Sequence, residues 1–398
     1  MLTRSIAATA LRLARGFPIL VITGPRQSGK TTLARTLFAD KPYISLEDPD
    51  ERAFAQTDPR GFLARFPQGA ILDEVQRCPD LFSYLQGVVD ARGRMGEFIL
   101  TGSQQFGLLS SISQSLAGRA GLLQLLPFAL EELQAGSVLP ASLDEVLLRG
   151  SYPPLYDRPL APGDWLPSYV ATYLERDVRQ LLAVRDLSQF QRFLKMCAAR
   201  SGQMLNLSAL AADCGITHVT AREWLTVLEA SYIVHLLRPY HQNFGKRLVK
   251  MPKLYFLDVG LMAYLLGIRD AASLSTHAAR GALFETLVVS EWIKRQFNAG
   301  QAAELYFWRD NAGHEVDLLI PHGEQFIPVE IKSGATFSSD WSAALRKLSG
   351  LFGPTALPPV ILYGGSGRYQ REDCQVAGWL TLAEPDWLAC ASPANTTR

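Results

Sequence analysis

Short runs of apolar residues, each ending in small or polar residues, recur through the first third of the chain. Such runs are typical of strands buried in a sheet, because both faces of each strand are apolar. Apolar residues at helical spacing lie between the runs, as in Thr32–Leu37. The alternation predicts an α/β fold whose mostly parallel sheet is covered by helices on both faces. The runs with their polar ends are Phe17–Ile22, Tyr43–Leu46, Gly69–Glu74, Glu97–Gln104 and Leu122–Leu126, and Gln56–Phe66 is a further helical stretch.

The loop after the first run reads Gly-Pro-Arg-Gln-Ser-Gly-Lys-Thr and fills the pattern G-x-x-x-x-G-K-[ST]. Its glycines let backbone N–H groups surround a phosphate at a helix N-terminus, so the loop predicts a nucleoside triphosphate site. Lys30 would reach the β- and γ-phosphates, and the Thr31 hydroxyl would be a ligand of Mg²⁺. The alternative, a glycine-rich turn without a ligand, is disfavoured by the strand before it and the helix after it. The predicted nucleotide-binding residues are Gly24, Pro25, Arg26, Gln27, Ser28, Gly29, Lys30, Thr31 and Thr32.

Two carboxylates, Asp73 and Glu74, end the third run. Ligands of open α/β sheets bind at the carboxyl ends of the strands, so both acids are expected to face the loop. Asp73 would hold Mg²⁺, and Glu74 would polarise the attacking water. Ser103 and Gln104 follow the fourth run and are candidates for sensing the γ-phosphate, with an ordinary strand-to-loop turn as the alternative.

Two arginines are candidates for stabilising the charge of the transferred phosphoryl group. Arg119 could act in its own chain or across a subunit boundary, and a surface salt bridge is the alternative. Arg176 lies in the predicted helix Ser168–Leu182, where a solvated helix face is the simpler reading. No Asn-Lys-x-Asp motif for guanine occurs, so ATP is the expected nucleotide.

The middle of the chain begins with a proline-rich crossing, Tyr152–Pro167. Farther on, Ser208 is a predicted N-cap, Gly215 a turn, and Thr217–Ala230 a second helix. Predicted strands follow at Tyr232–Leu237 and Leu254–Leu257, and a helix-turn-helix followed by a β-hairpin predicts a winged helix. The second helix carries Glu223 and Glu229, which disfavours a transcriptional regulator that reads DNA through it. The hairpin between the strands carries five basic residues and two aromatic residues, which makes nucleic-acid contact one alternative and a structural or oligomer contact the other; these residues are Arg238, Lys246, Arg247, Lys250 and Lys253, with Tyr240 and Phe244.

The last third places acids on a helix and on two strands. The helix Gly281–Asn298 carries Glu285 and Glu291, and the strand Glu315–Ile320 carries Asp317. In the strand Phe326–Lys332, the period of two puts Glu330 and Lys332 on one face. Carboxylates of neighbouring strands with a helix acid can bind Mg²⁺, and Lys332 would orient a water or stabilise a scissile phosphate. Outward-facing charge on amphipathic strands is the alternative. A helix at Ser338–Phe352 and a strand at Pro359–Tyr363 are predicted next.

The chain has 398 residues, of which 48% are hydrophobic and 19% charged, and its net charge is +1. The length predicts two or three domains. A polyanion would have to be bound by local patches, because the net charge is close to zero. The basic, alanine-rich first residues fit either a transit peptide or an amphipathic helix beside the sheet, and we prefer the helix because little length precedes the first strand. The scattered cysteines predict reduced thiols, as in the cytoplasm, and no apolar run is long enough for a membrane helix. The cysteines are Cys78, Cys197, Cys214, Cys374 and Cys390.

From about Phe17 to about Leu382 the sequence resembles a family of prokaryotic ATPases. In this family an AAA-type P-loop domain precedes a winged helix and a C-terminal domain that resembles the PD-(D/E)XK restriction-endonuclease fold. The resemblance implies ATP and Mg²⁺ at Lys30, Thr31, Asp73 and Glu74. The stretches that carry it are GPRQSGKTTL (Gly24–Leu33), ILDEVQR (Ile71–Arg77), ILTGSQQ (Ile99–Gln105), SLAGR (Ser115–Arg119), KRLVKMPKLYFLDVGL (Lys246–Leu261), GALFE (Gly281–Glu285), EVDLLI (Glu315–Ile320) and VEIKSG (Val329–Gly334).

The resemblance also implies a nuclease-like site in the C-terminal domain, formed by Glu285, Asp317, Glu330 and Lys332, with Glu285 preferred to Glu291. The expected domains are residues 1–150 (ATPase), 151–270 (helical linker and winged helix) and 271–390 (nuclease-like), with a tail at 391–398. The leading hypothesis is an ATPase whose turnover is coupled to a C-terminal domain that engages nucleic acid. The alternative is an ATP-dependent switch with a catalytically silent C-terminal platform. A homo-oligomer is compatible with either.

Overall fold

A computed structural model describes residues 2–103, 115–174, 187–240, 251–371 and 373–388. In these ranges two sheets form the framework of the chain, one of five strands and one of eight.

The first sheet is parallel throughout and has the strand order β2-β3-β4-β1-β5. Every residue of β1, β3 and β4 is buried, as expected for strands covered on both faces. The parallel, doubly covered sheet is the one that the sequence predicted. Its strands are β1 Ile19–Thr23, β2 Tyr43–Ser45, β3 Ala70–Asp73, β4 Phe98–Gly102 and β5 Ala120–Gln124.

Helices cover both faces of this sheet because successive residues of its strands point to opposite sides. Leu20 and Ile22 pack with Ala10 of the first helix, whereas Ile19 and Val21 pack on the other side with Phe62. The predicted helix around residues 56–66 is two helices, because Asp58 ends one and caps the next before Pro59. The helices are α1 Ala7–Gly16, α2 Lys30–Leu37, α3 Pro49–Thr57, α4 Pro59–Ala64 and α5 Leu81–Arg92.

The middle segment is mostly helical. The proline-rich crossing contains two short helices with proline in their first turns, where the missing N–H costs no hydrogen bond. The N-cap of the next predicted helix is Asn206 rather than Ser208, because the Asn206 side chain accepts the Ala209 N–H. The elements are α6 Leu130–Ala135, α7 Leu143–Arg149, α8 Pro154–Asp157, α9 Pro162–Tyr169, α10 Leu187–Ala199, α11 Leu207–Cys214, α12 His218–Ala230, β6 Val234–Pro239 and β7 Lys253–Phe256.

The second sheet has the order β12-β13-β11-β10-β9-β8-β6-β7. Strands β8, β9 and β10 are antiparallel neighbours, and β11 pairs parallel with β10. The pair β6–β7 extends this sheet through pairing of Arg238 with Tyr306, so the sheet crosses the boundary expected near residue 270. Its remaining elements are α13 Val259–Leu265, α14 Ala271–Thr276, α15 Arg280–Asn298, β8 Tyr306–Arg309, β9 Glu315–His322, β10 Gln325–Lys332, α16 Ala343–Phe352, β11 Val360–Tyr363, β12 Arg368–Gln370 and β13 Gln375–Gly378.

Helices α15 and α16 cover opposite faces of the second sheet. Phe284 of α15 packs in the same core as Leu318, whereas Leu345 of α16 packs with Leu319. Four cysteines of the described ranges are buried and unbonded. None of the helices in those ranges combines the length and apolar composition that crossing a bilayer requires.

Candidate functional site

The loop between β1 and α2 has the backbone that its sequence demands. Gly24 has φ 149° and Gly29 has φ 95°, both in the left-handed region that favours glycine. A Cβ atom at Gly24 would lie 2.0 Å from the Leu125 carbonyl oxygen, so only glycine fits there. The loop therefore curls at the carboxyl edge of the sheet, at the start of α2.

Two polar groups of this loop indicate a ligand-binding cradle. The Lys30 side chain is buried, and its ammonium donates to the carbonyl oxygens of Gly24 and Pro25 at 3.0 and 2.8 Å. The Ser28 hydroxyl is fully buried and has no hydrogen-bond partner. A buried hydroxyl without a partner is costly, so these residues fit a bound phosphate that would accept from them.

Asp73, the last residue of β3, is hydrogen-bonded to the start of α2 and to the two neighbouring strands. Its Oδ2 accepts from Thr31 Oγ1 and from Tyr43 Oη, both at 2.8 Å, and its Oδ1 accepts from the Thr101 hydroxyl. Burial of the phenol and its hydrogen bond to Asp73 raise the pKa of Tyr43 to about 12. A carboxylate beside a threonine hydroxyl is an oxygen donor set that suits Mg²⁺.

Glu74 lies next to Asp73 in a backbone conformation that is unusual for its residue type. Its φ of 55° is left-handed, and such geometry in a non-glycine residue is concentrated at functional sites. Ser103 Oγ donates to Glu74 Oε2 at 3.2 Å, and the Gln76 amide donates to the same oxygen. Sequence reasoning missed Gln76, although it lies only two residues beyond the acid pair.

A cavity of about 680 Å³ opens beside the loop, within the size range of small-molecule sites. Six of the nine predicted nucleotide-binding residues line it: Arg26, Gln27, Gly29, Lys30, Thr31 and Thr32. Glu74 lines it as well, whereas Phe128, Pro153, Pro154, Asp157 and Arg158 form a wall from the segment after the sheet.

Arg4 also lines the cavity, and no motif in the sequence pointed to it. Its guanidinium donates to the Ser28 carbonyl oxygen at 2.8 Å and pairs with buried Glu132 at 3.1 Å. It also lies over the Phe128 ring, at 4.8 Å from the centroid. The start of the chain therefore fixes both the loop and the far wall of the cavity.

Arg119 does not belong to this site in its own chain. It precedes β5, and its carbonyl accepts from Ile19 N–H at the beginning of β1, so it lies at the amino edge of the sheet. The guanidinium forms two hydrogen bonds to exposed Asp90, at 2.6 and 2.8 Å. This placement corrects the prediction of a role in the same chain, and a role across a subunit boundary stays a prediction. Gln104 and Arg176 lie outside the described residues.

The acids predicted for the C-terminal site lie together. Burial of the carboxyl and the nearby carboxylates of Glu285 and Glu330 raise the pKa of Asp317 well above its usual value. Lys332 Nζ lies 2.5 Å from Glu330 Oε1, while Glu330 Oε2 is buried and without a partner. Asp317 Oδ2 accepts the Ile331 N–H at 2.7 Å. The structure thus brings all four predicted residues into one neighbourhood.

A lysine from the preceding hairpin enters the same cluster. Lys253 of β7 is buried, and its Nζ lies 3.0 Å from Glu285 Oε1 and 2.5 Å from Glu315 Oε1. Burial opposes its charge, but the carboxylates of Glu285, Asp317 and Glu315 outweigh it and raise the pKa of Lys253. Tyr255, two residues along the strand, donates its hydroxyl to Glu285.

This arrangement does not fit a divalent cation. Across the described ranges, no group of three or more His, Cys, Asp or Glu side chains is arranged to hold a metal ion. Mg²⁺ needs oxygen ligands that converge on it, and here an ammonium group lies among those oxygens. A metal role of Glu285, Asp317 and Glu330 stays a prediction.

Glu291 is separate from the cluster and forms a different buried network. Its Oε1 pairs with Lys294 Nζ at 2.6 Å, and its Oε2 accepts the Leu130 N–H at 2.7 Å. Lys294 also donates to the Phe128 carbonyl oxygen and to Ser151 Oγ, at 2.9 and 2.8 Å. Helix α15 thus holds a wall of the nucleotide cavity at one end and carries Glu285 near the other.

The structure describes two of the five basic residues predicted for the hairpin. Arg238 is exposed, but Lys253 is buried among acids, and residues 241–250 lie outside the described ranges. Tyr240 packs against Tyr306 and Phe326, with ring centroids 5.6 and 4.5 Å apart. Tyr240 is therefore half-buried and packs against the core of the second sheet, and nucleic-acid contact by the hairpin stays a prediction.

In the comparison with known proteins, three parts of the chain match three family models. Residues 16–134 match an AAA domain, residues 140–272 match a domain of unknown function (DUF8612), and residues 280–382 match another (DUF4143). A Walker-type ATPase of Pyrococcus abyssi shares 15% identity, with 65% of this chain and 94% of that chain covered and a TM-score of 0.42.

Two relatives match over almost the whole length. They are the uncharacterized proteins Mb2031c of Mycobacterium bovis and Rv2008c of Mycobacterium tuberculosis. Each is 33% identical over 379 residues, which are 94% of this chain and 82% of the relative. The chain therefore belongs to the family of these mycobacterial proteins, and its N-terminal domain is an AAA-type P-loop ATPase domain.

Proposed function

We propose that the chain binds ATP with Mg²⁺ and hydrolyses it, and that turnover is coupled to the C-terminal domain. The observation that carries the proposal is the set of Thr31, Asp73 and Glu74 beside a curled loop with an unsatisfied buried hydroxyl. Thr31 and Asp73 would hold Mg²⁺, which supplies charge stabilisation at the phosphates when bound. Lys30 would bind the phosphates, and Glu74 would orient the attacking water.

Glu74 suits this role because its carboxylate is held from two sides. Ser103 and Gln76 donate to one of its oxygens, which leaves the other for a water hydrogen bond. Ser103 is buried and directly follows β4, so the end of this strand positions its hydroxyl. The same hydroxyl is a candidate for sensing the γ-phosphate.

Contacts between the nucleotide cavity and the later parts of the chain support coupling of ATP turnover to the C-terminal domain. Phe128 lines the cavity, and its carbonyl oxygen is held by Lys294 of α15. Thr23, which precedes the loop, shares a hydrogen bond of 2.7 Å with Tyr232 of the middle segment. A change in the cavity on nucleotide binding would therefore act directly on both later parts of the chain.

Two substitutions test the ATPase assignment. Lys30→Ala should abolish ATP binding or hydrolysis. Glu74→Gln should still bind ATP, but its rate of hydrolysis should fall by a factor of about 10² or more. Glu51→Gln is a matched control, because Glu51 pairs with Arg65 on the surface of α3. Phosphate release and nucleotide affinity are the measurements. Normal turnover in Glu74→Gln would contradict the role of this carboxylate.

For the later domains we propose a winged helix followed by a nuclease-like domain that engages nucleic acid. The element order α15-β8-β9-β10-α16-β11 and the acids Asp317 and Glu330 on adjacent strands support this assignment. The exposed Arg238 near the end of β6 supports contact with a polyanion.

A second candidate is a switch whose C-terminal domain binds a partner without cleaving it. The observation that favours it is the Lys253 ammonium among the acids. Incubation with labelled DNA and RNA, with Mg²⁺ or Mn²⁺ and with or without ATP, separates the two candidates. Cleavage that is lost in Glu330→Ala/Lys332→Ala would favour the nuclease, and lack of cleavage of every substrate would favour the switch.

A further inference from the structure

The acid cluster of the C-terminal domain carries its own cation. The Lys253 side chain is 3% exposed, and its ammonium lies between Glu285 and Glu315. It reaches the cluster from β7, a strand that precedes the C-terminal domain in sequence and pairs with β6. The carboxylates come from α15, β9 and β10, so the lysine is supplied by a different part of the chain.

The charges of the cluster are nearly balanced without a metal ion. Four carboxylates face three basic side chains: Glu285, Glu315, Asp317 and Glu330 against Lys253, Arg309 and Lys332. A divalent cation added to this set would leave an excess of positive charge in a buried site, which is unfavourable. Without the ammonium of Lys253 and with all four carboxyl groups ionised, as metal ligands are, the cluster would carry two unbalanced negative charges, the number that a divalent cation neutralises.

One oxygen of the cluster is available for a ligand. Glu330 Oε2 is buried and has no hydrogen-bond partner, and the Glu330 side chain is 8% exposed. A buried carboxylate oxygen without a partner costs free energy unless a cation or donor approaches it. The cluster therefore combines an unsatisfied metal-type ligand with an ammonium group that opposes the metal.

We propose that Lys253 is an internal cation that takes the place of a divalent metal ion in the C-terminal acid cluster and excludes it. In this arrangement the carboxylates bind the ammonium, and a metal ion binds only when Lys253 leaves. The inference rests on the cluster and not on ATP turnover, so the two stand or fail separately.

The test compares Mn²⁺ binding to full-length variants by titration calorimetry and electron paramagnetic resonance, without nucleotide. All variants carry Asp73→Asn, so that the carboxylate beside the P-loop does not contribute. Adding Lys253→Met, which keeps the apolar stem and removes the charge, should tighten Mn²⁺ binding at least tenfold. Adding Asp317→Asn to that variant should remove the gain. Lys253→Arg is the matched control that keeps the charge, and it should show no gain.

Removing a buried charge can also weaken folding, so Lys253→Gln serves as a second variant that retains hydrogen bonding. For either variant, Mn²⁺ should raise the melting temperature, because a ligand that binds only the folded state stabilises it. The proposal is overturned if neither variant binds Mn²⁺ more tightly than the parent, or if the gain survives Asp317→Asn. It is also overturned if the parent, with Lys253 in place, binds Mn²⁺ in a way that Asp317→Asn abolishes.

Discussion

Lys294→Met is expected to lower the free energy of unfolding more than a surface substitution, because Lys294 lies at the centre of a buried polar network. Its side chain is 1% exposed and donates to Glu291, to the Phe128 carbonyl oxygen and to Ser151 Oγ. Methionine fills a similar volume but leaves three acceptors without this donor. Breaking a buried ion pair by removing one partner costs about 3–5 kcal/mol.

The loss of unfolding free energy should depend on pH, because protonation of Glu291 removes the buried charge that Lys294 no longer balances. Burial already raises the pKa of Glu291, against the opposing effect of Lys294. Without the lysine, the folded-state pKa rises further above the unfolded value. A raised folded-state pKa gives stability that is present below the unfolded pKa and is lost as the pH rises. The variant should therefore be closer to the wild type at pH 5 than at pH 8.

A double variant shows how much of the lost stability comes from leaving Glu291 unpaired and how much comes from altered packing. Glu291→Gln/Lys294→Met removes both charges and keeps an acceptor for the Leu130 N–H, so it should recover at least half of the loss. Urea unfolding followed by tryptophan fluorescence and circular dichroism, at both pH values, measures the change. A single variant as stable as the wild type at pH 8, or a double variant no better than Lys294→Met, would refute the reasoning.

Two further predictions concern Arg119 and His235. Arg119→Ala should leave the melting temperature nearly unchanged because its pair with Asp90 is exposed, and it should leave the ATPase rate of the monomer unchanged because it lies at the far edge of the sheet. Loss of activity in the monomer would contradict this placement. Loss of activity only in an oligomer would mean that Arg119 acts on a neighbouring chain. A mass measurement with a non-hydrolysable ATP analogue identifies the oligomer. Burial, with a smaller effect of Arg238, lowers the pKa of His235 to about 4, so the unfolded state binds more protons and stability should fall as the pH drops from about 6.5 towards 4. His235→Gln should reduce this fall in thermal or urea unfolding, and an unchanged acid sensitivity would contradict the assignment.

Local patterns were sufficient to predict the first sheet. The runs of apolar residues located its five strands, and the glycines and Lys30 located the phosphate loop, because strand burial and loop conformation depend on neighbouring residues. Element ends were less accurate. Asn206 rather than Ser208 caps α11, since several polar residues near a helix start can each accept the N–H two or three positions ahead, and only the folded backbone selects one of them.

The sequence by itself determined the elements, the phosphate loop and the presence of acids at strand ends. Only the tertiary structure decided which charges meet. It placed Arg119 with Asp90 at the amino edge of the sheet, Glu291 with Lys294, and Lys253 with Glu285. The Lys253–Glu285 pair joins residues 32 positions apart, and the bond from Lys294 to Phe128 spans 166. Periodicity and motifs describe short stretches of chain, whereas a buried charge is satisfied by whichever partner the packing of distant elements brings within reach.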